Sequence, residues 1–147
     1  MGVNIDRAEW KPDALQLDAF GALVEMIVNV LTVQDDLRRE KKGEPVTGLL
    51  EQRMPEKLIA TLKEECDEML EGIQKRDRVN QYEEASDLLM RFARICRTLE
   101  LDPTIIVRVF FVKARAIAEH DAAGAQERDK DAERAAMERL IAEYEGE

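Results

Sequence analysis

Apolar residues recur at three- and four-residue spacing along every long segment of this chain, and this periodicity restricts the fold more than any other feature. Such spacing puts apolar side chains on one face of a helix, whereas a strand requires alternation. The segments are interrupted by only seven Gly and four Pro, and they are rich in Ala, Leu, Glu and Arg, which favour helices. We therefore expect an all-α protein.

Capping residues and prolines mark the helix starts, because they suit the free N–H groups of a first turn. The expected starts are Asp13, Pro55, Asn80 with Glu83, the pair Asp102-Pro103, and about Gln126. These signals predict five helices over roughly 14–40, 55–75, 80–99, 103–119 and 126–144. The last one is charged with a thin apolar edge, so we expect it to lie on the surface.

The apolar faces predict how the helices pack. The first helix is apolar on several sides, which is typical of a helix with more than one neighbour. In a chain of 147 residues, we expect one of those neighbours to belong to another subunit. The third helix presents one apolar stripe, made of Tyr82, Ala85, Leu89, Phe92, Cys96 and Leu99.

Length and composition suggest a single domain over residues 1–147 in the cytoplasm. No apolar run approaches the roughly 18 residues of a membrane span, and the N-terminus lacks the pattern of a signal peptide, so we expect no membrane partner. Cys66 and Cys96 fall in apolar stripes and are expected to be buried thiols. The net charge of −10 argues against nucleic-acid binding, because phosphates would be repelled.

Two acidic motifs lie on the second and third helices, Glu64-Glu65-x-x-Glu68 and Glu84-x-x-Asp87. Residues three apart share a helix face, so Glu65 and Glu68 point the same way, as do Glu84 and Asp87. The short connection makes the two helices antiparallel neighbours. Four converging carboxylates repel one another without a cation, and Mg²⁺ prefers oxygen ligands. The spacing therefore predicts a site for one or two Mg²⁺ ions.

A second explanation of these residues stays open on spacing alone. With 32 acidic residues in the chain, some pairs three apart arise by chance on solvated faces. Asp87 and Arg91, four apart, would suit a surface ion pair, and Asp87 points away from the apolar stripe of its helix. A metal site would then need a further wall from another helix or subunit.

The two motifs in this order, 15 residues apart, resemble the EExxE…ExxD signature of the all-α nucleotide pyrophosphohydrolases. That superfamily includes MazG-like proteins, dimeric dUTPases and phosphoribosyl-ATP pyrophosphohydrolases. The resemblance covers about residues 55–118 and includes Glu56-Lys57-Leu58 before the first motif. It implies a four-helix bundle core with an additional peripheral C-terminal helix at 120–147, assembled as a homodimer or homotetramer.

The resemblance also implies residue roles and a reaction. The residues that bind Mg²⁺, or Mn²⁺ in its place, would be Glu65, Glu68, Glu84 and Asp87. Glu64 would orient or deprotonate the attacking water, and Lys113 and Arg115 would bind substrate phosphates. The implied reaction hydrolyses a nucleoside triphosphate to the monophosphate and pyrophosphate, as in house-cleaning of the nucleotide pool. Many relatives carry an Asn near the basic position, where this chain has Phe110-Phe111-Val112, so the preferred base is left open.

Two rival classes use some of the same features. A di-iron bundle requires Glu-x-x-His pairs, and the single histidine, His120, lies far from both motifs. A non-enzymatic helical oligomerisation or regulatory module, with acidic faces that are only solvated, is the alternative that stays open. Metal binding separates that module from an enzyme.

Overall fold

The computed structural model describes residues 11–123 and 128–146, and within these residues the chain forms five α-helices and no strand. The helices are α1 (Ala14–Lys41), α2 (Pro55–Gln74), α3 (Arg78–Thr98), α4 (Pro103–Ala123) and α5 (Lys130–Glu145). The all-α fold class is thus confirmed. The assignment of residues 1–147 to a single domain stays a prediction.

Three of the expected helix starts are confirmed by their local contacts. Gln16 and Asp13 cap α1 reciprocally: the Gln16 N–H donates to Asp13 Oδ1 (2.7 Å) and the Asp13 N–H donates to Gln16 Oε1 (3.0 Å). Pro55 opens α2 without a side-chain cap. At the start of α4, the Thr104 N–H donates to Asp102 Oδ1 over 2.8 Å. Local chemistry therefore fixes these boundaries.

The predicted N-cap of α3, Asn80, lies three residues after the observed one. The observed N-cap is Asp77, whose carboxylate accepts from the Asn80 N–H over 3.1 Å, so Asn80 already lies inside the helix. The turn from α2 is very short because Arg76 adopts a left-handed conformation with φ 53°. For α5, the predicted start at Gln126 lies outside the described residues, and the helix that is described begins at Lys130 after an Asp129 cap.

Residues 22–101 form one compact unit that contains most of α1 and all of α2 and α3. The tight turn makes α2 and α3 antiparallel, and they pack directly against each other. The apolar core of this unit consists of Val24, Val28, Leu31, Leu50, Leu58, Ala93 and Cys96. Cys96 is buried as expected, but Cys66 is exposed. The prediction for Cys66 is wrong because its neighbour Glu65 faces inwards, and one residue turns a helix by about 100°.

A buried ion pair joins α1 to α3 inside this unit. Arg94 donates from Nη1 and Nη2 to the two carboxylate oxygens of Asp35, over 2.9 and 3.2 Å, and each residue is 2% exposed. The Glu51 N–H also donates to Asp35 over 2.9 Å. Burial alone would raise the pKa of Asp35, but these donors outweigh burial and hold that pKa below its ordinary value.

Helix α1 is apolar on two opposite sides. Val24, Val28 and Leu31 are buried in the core, whereas the other side exposes a second stripe. That stripe consists of Leu23, Met26, Val30, Val33 and Leu37. Length and composition alone would let α1 cross a membrane, which corrects the expectation that no segment is apolar enough. Core helices of soluble proteins can have the same length and apolar composition, and one face of α1 belongs to the core here.

The second compact unit comprises the described residues up to Gly21 and those from Asp102 onward. Within it, α4 packs against α5, and the Arg108 guanidinium lies 3.8 Å from the centre of the Tyr144 ring. Helix α5 has no buried residue among those described.

Candidate metal centre

Helix α3 meets α2 with a polar face rather than with its apolar stripe. Glu84 is 6% exposed, whereas Tyr82 is 66% and Leu89 39% exposed. The predicted inward stripe is therefore wrong for the first half of α3. Glu84, Asp87 and Arg91 are three and four positions apart, so they share the face that the α2–α3 contact covers.

Three carboxylates from the two helices converge at this interface. One oxygen from each of Glu65, Glu84 and Asp87 lies within 4.8 Å of the others. Glu65 is 8% exposed and Asp87 is half-buried. The side of α3 that carries Asp87, away from the apolar stripe, is thus the side that faces Glu65 of α2. A further wall from another helix or subunit stays a prediction. Glu68 is exposed, but its carboxyl group reaches Glu84.

Crowding of acids changes the chemistry of Glu84. Burial, followed by the nearby carboxyl groups of Glu65 and Glu68, raises the pKa of Glu84 from 4.5 to about 7. Among the described residues, one positive charge touches the cluster: Arg91 Nη2 donates to Glu65 Oε1 over 3.4 Å. The predicted surface pair of Arg91 with Asp87 is thus replaced by a contact across the helix interface. A single long ion pair offsets little of the repulsion among the carboxylates.

The cluster has the donors that a hard cation requires. Glu65 Oε2 and Glu84 Oε2 are buried and accept no hydrogen bond from the described residues. Unpaired buried carboxylate oxygens are costly, and a metal ion would satisfy them. Mg²⁺–O distances of about 2.1 Å place ligand oxygens roughly 3 to 4 Å apart in an octahedron, and the three oxygens here lie within 4.8 Å of one another, so a small movement would bring them to those distances. The residues therefore fit a divalent metal ion.

The other predicted site residues are exposed side chains of α2 and α4. Glu64 is exposed on α2, next to Glu65 in the sequence. Lys113 and Arg115 are exposed on α4, and Arg115 Nε donates to Glu119 over 2.9 Å. Their roles in water activation and phosphate binding stay predictions.

Sequence reasoning missed two arginines on the inner side of α3. Spacing alone pairs Arg91 with Asp87 and gives Arg94 no partner, whereas in the structure they contact Glu65 and Asp35. A signal was present, since the series Glu84, Asp87, Arg91 and Arg94 repeats at helical spacing. A polar series with this period indicates a buried polar face under one condition. The neighbouring helix, joined by a short turn, must carry acidic residues at the same distance from that turn.

The comparisons with known proteins match a part of the chain that includes Glu65, Glu84 and Asp87. Residues 53–112 match the family model of the MazG nucleotide pyrophosphohydrolase domain. The match spans α2, α3 and the first half of α4, and it ends one residue before Lys113. No curated protein and no solved structure matches the chain. The chain therefore carries a MazG-like all-α region at residues 53–112, which confirms the resemblance inferred from its acidic motifs.

Proposed function

We propose that this protein is a Mg²⁺-dependent pyrophosphohydrolase that converts a (d)NTP and water into the (d)NMP and pyrophosphate. The observation that carries the proposal is the buried carboxylate cluster of Glu65, Glu84 and Asp87 within the MazG-matched residues. A solvated acidic face would not bury two unpaired carboxylate oxygens. The buried cluster therefore favours a metal-dependent enzyme over a purely structural module.

The ligands would be Glu65, Glu84 and Asp87, with Glu68 at the exposed edge of the cluster. Mg²⁺, or Mn²⁺ in its place, would neutralise the charge that develops on the phosphates as water attacks phosphorus. The buried position of Glu65 and Glu84 fixes their carboxylates before the metal arrives, because their rotamers are confined by the packing of α2 against α3.

The remaining roles follow from the family resemblance. Glu64, exposed beside the cluster in the sequence, would hold the attacking water and accept its proton. Lys113 and Arg115 would bind substrate phosphates; Arg115 would have to exchange its contact with Glu119 for phosphate. The water oxygen would form a bond to one phosphorus, and the anhydride bond between the α- and β-phosphates would break.

The exposed stripe of α1 favours assembly with a second copy of the chain. Its residues, Leu23, Met26, Val30, Val33 and Leu37, alternate at spacings of three and four, which is the pattern of paired helices. The stripe lies opposite the buried face of α1, so the rest of its own compact unit leaves it uncovered. We therefore propose a homodimer or homotetramer, located in the cytoplasm, that removes unwanted nucleotides.

A non-enzymatic oligomerisation module is the second candidate. The α1 stripe supports it as well, because that stripe requires a partner but no chemistry. The orphaned carboxylate oxygens of Glu65 and Glu84 are what this candidate leaves unexplained.

A screen of (d)NTPs tests the enzymatic proposal. The purified protein is incubated with Mg²⁺ and each nucleotide, and the products are separated chromatographically. We expect equal amounts of monophosphate and pyrophosphate from at least one nucleotide, and none in EDTA. Diphosphate with orthophosphate would contradict the proposed bond cleavage, and no release from any nucleotide would favour the non-enzymatic module.

A further inference from the structure

Arg91 is the cation that touches the acidic cluster within the described part of the chain. Its Nη2 donates to Glu65 Oε1 over 3.4 Å, across the interface of α2 and α3. Its Nε is buried and has no hydrogen-bond partner there, while 26% of its side chain is exposed. Since a guanidinium has five N–H donors, Arg91 leaves most of its binding capacity unused.

Arg94, one turn further along α3, shows what a structural arginine looks like in this protein. It makes two contacts to Asp35, of 2.9 and 3.2 Å, and both side chains are almost fully buried. Arg91 instead makes one longer contact and is open to solvent on one side. Arg94 is therefore held in a fixed ion pair, whereas Arg91 can exchange its carboxylate for another anion.

A metal ion and Arg91 would compete for Glu65. Both are positive, and both need the same carboxylate in a confined space, so each weakens the binding of the other. A substrate with several phosphates removes this competition, because the metal ion and Arg91 can both bind its negatively charged oxygens. An arginine fork suits phosphate oxygens better than a single carboxylate oxygen at 3.4 Å.

We propose that Arg91 is a phosphate-binding residue of this site: it holds Glu65 while no metal is bound and transfers its guanidinium to the substrate polyphosphate once Glu65 is a metal ligand. This assignment rests on the proposed function. It gives the site a cation next to the carboxylates themselves, in addition to the basic residues predicted on α4. It also gives Arg91 opposite effects on the two ligands, weakening metal binding and strengthening phosphate binding.

Two titrations of Arg91→Gln test this inference by calorimetry, without relying on turnover. Mn²⁺ alone is titrated first, and Arg91→Gln is expected to bind it about threefold more tightly than the wild type, because a repelling charge is gone. Inorganic pyrophosphate is then titrated in saturating Mg²⁺, and its affinity is expected to fall about tenfold or more. Arg97→Gln is the matched control, since Arg97 lies on the same helix but pairs with Glu25.

Opposite shifts for the two ligands support the inference. Parallel weakening of both, or no change in either, overturns it; if the wild type still binds Mn²⁺ and releases pyrophosphate from a nucleotide, the proposed function stands. A wild type that binds no Mn²⁺ overturns both. Arg91→Lys keeps the charge but not the fork, so we expect Mn²⁺ affinity like that of the wild type and pyrophosphate affinity between the other two proteins. Unchanged pyrophosphate affinity in Arg91→Lys would contradict a role for the fork.

Discussion

The carboxyl groups of Glu65 on α2 and Glu84 on α3 meet inside the helix interface, and more than nine-tenths of each residue is removed from solvent. Two like charges in such a place oppose folding unless a proton or a cation lies between them. Repulsion between these two carboxylates therefore destabilises the metal-free protein at the proposed metal site.

Replacement of Glu84 by the neutral isostere Gln should stabilise the metal-free protein. At pH 8 in EDTA, we expect Glu84→Gln to unfold at a higher temperature than the wild type, because one of the clustered charges is gone. Added Mg²⁺ should raise the unfolding temperature of the wild type but not that of the variant. Glu83→Gln is the control, since Glu83 is the exposed neighbour on the same helix. A less stable Glu84→Gln in EDTA would contradict the account.

The stability of the metal-free protein should fall as pH rises between about 4.5 and 7. In this interval the unfolded chain has ionised Glu84, whereas the folded protein still holds the proton, so folding takes up protons. Other carboxylates also titrate here, so the measured quantity is the difference in unfolding temperature between wild type and Glu84→Gln at each pH. We expect this difference to grow towards pH 7 and then to level off. A difference that is constant over the whole range would refute the raised pKa.

Loss of Arg94 should strongly destabilise the fold. Arg94→Met leaves the buried Asp35 with only the half-exposed Arg38, whose Nη2 lies 3.5 Å from Asp35 Oδ1, and we expect the free energy of unfolding to fall by about 3 kcal/mol in urea titrations. Asp35→Leu combined with Arg94→Met should recover most of this loss, because no buried charge is then left unpaired. If the double variant were as unstable as Arg94→Met alone, the ion-pair explanation would be wrong.

An exposed ion pair on the same two helices provides the comparison. Arg97 donates to Glu25 over 2.8 Å, but about half of each side chain is in solvent. We expect Arg97→Gln to cost less than about 1 kcal/mol.

The α1 stripe should control assembly. Val30→Glu puts a charge in the middle of the stripe, and we expect light scattering to show a shift from dimer or tetramer to monomer. Val46→Glu is the matched control, because Val46 is 58% exposed and Val30 is 53% exposed, but Val46 lies in the loop after α1. A wild type that is already monomeric, or equal effects of both substitutions, would contradict assembly through this face.

Local chemistry in the sequence was enough to place α1, α2 and α4, since Asp13, Pro55 and the pair Asp102-Pro103 act on their own first turns. The two apolar sides of α1 were also predictable from periodicity. The all-α class and the MazG resemblance followed from these signals together with the acidic motifs.

The inward face of α3 could not be predicted by the same reasoning, which assumes that apolar residues face inwards. Tyr82 and Leu89 break that assumption because α2 presents Glu65 at the level where α3 presents Glu84. Asp35 and Arg94 are 59 residues apart, so no local pattern connects them. Contacts of this kind depend on how helices pack, which only the three-dimensional structure contains.

The central claim is that the cluster of Glu65, Glu84 and Asp87 holds a divalent metal ion, and calorimetric titration of Mg²⁺ into the wild type, Glu84→Gln and Glu83→Gln tests it most directly. We predict saturable binding by the wild type and by Glu83→Gln, and a loss of affinity of about a hundredfold or more in Glu84→Gln, because a charged ligand becomes neutral. Equal Mg²⁺ affinity in all three proteins, or no binding by the wild type, would contradict the claim.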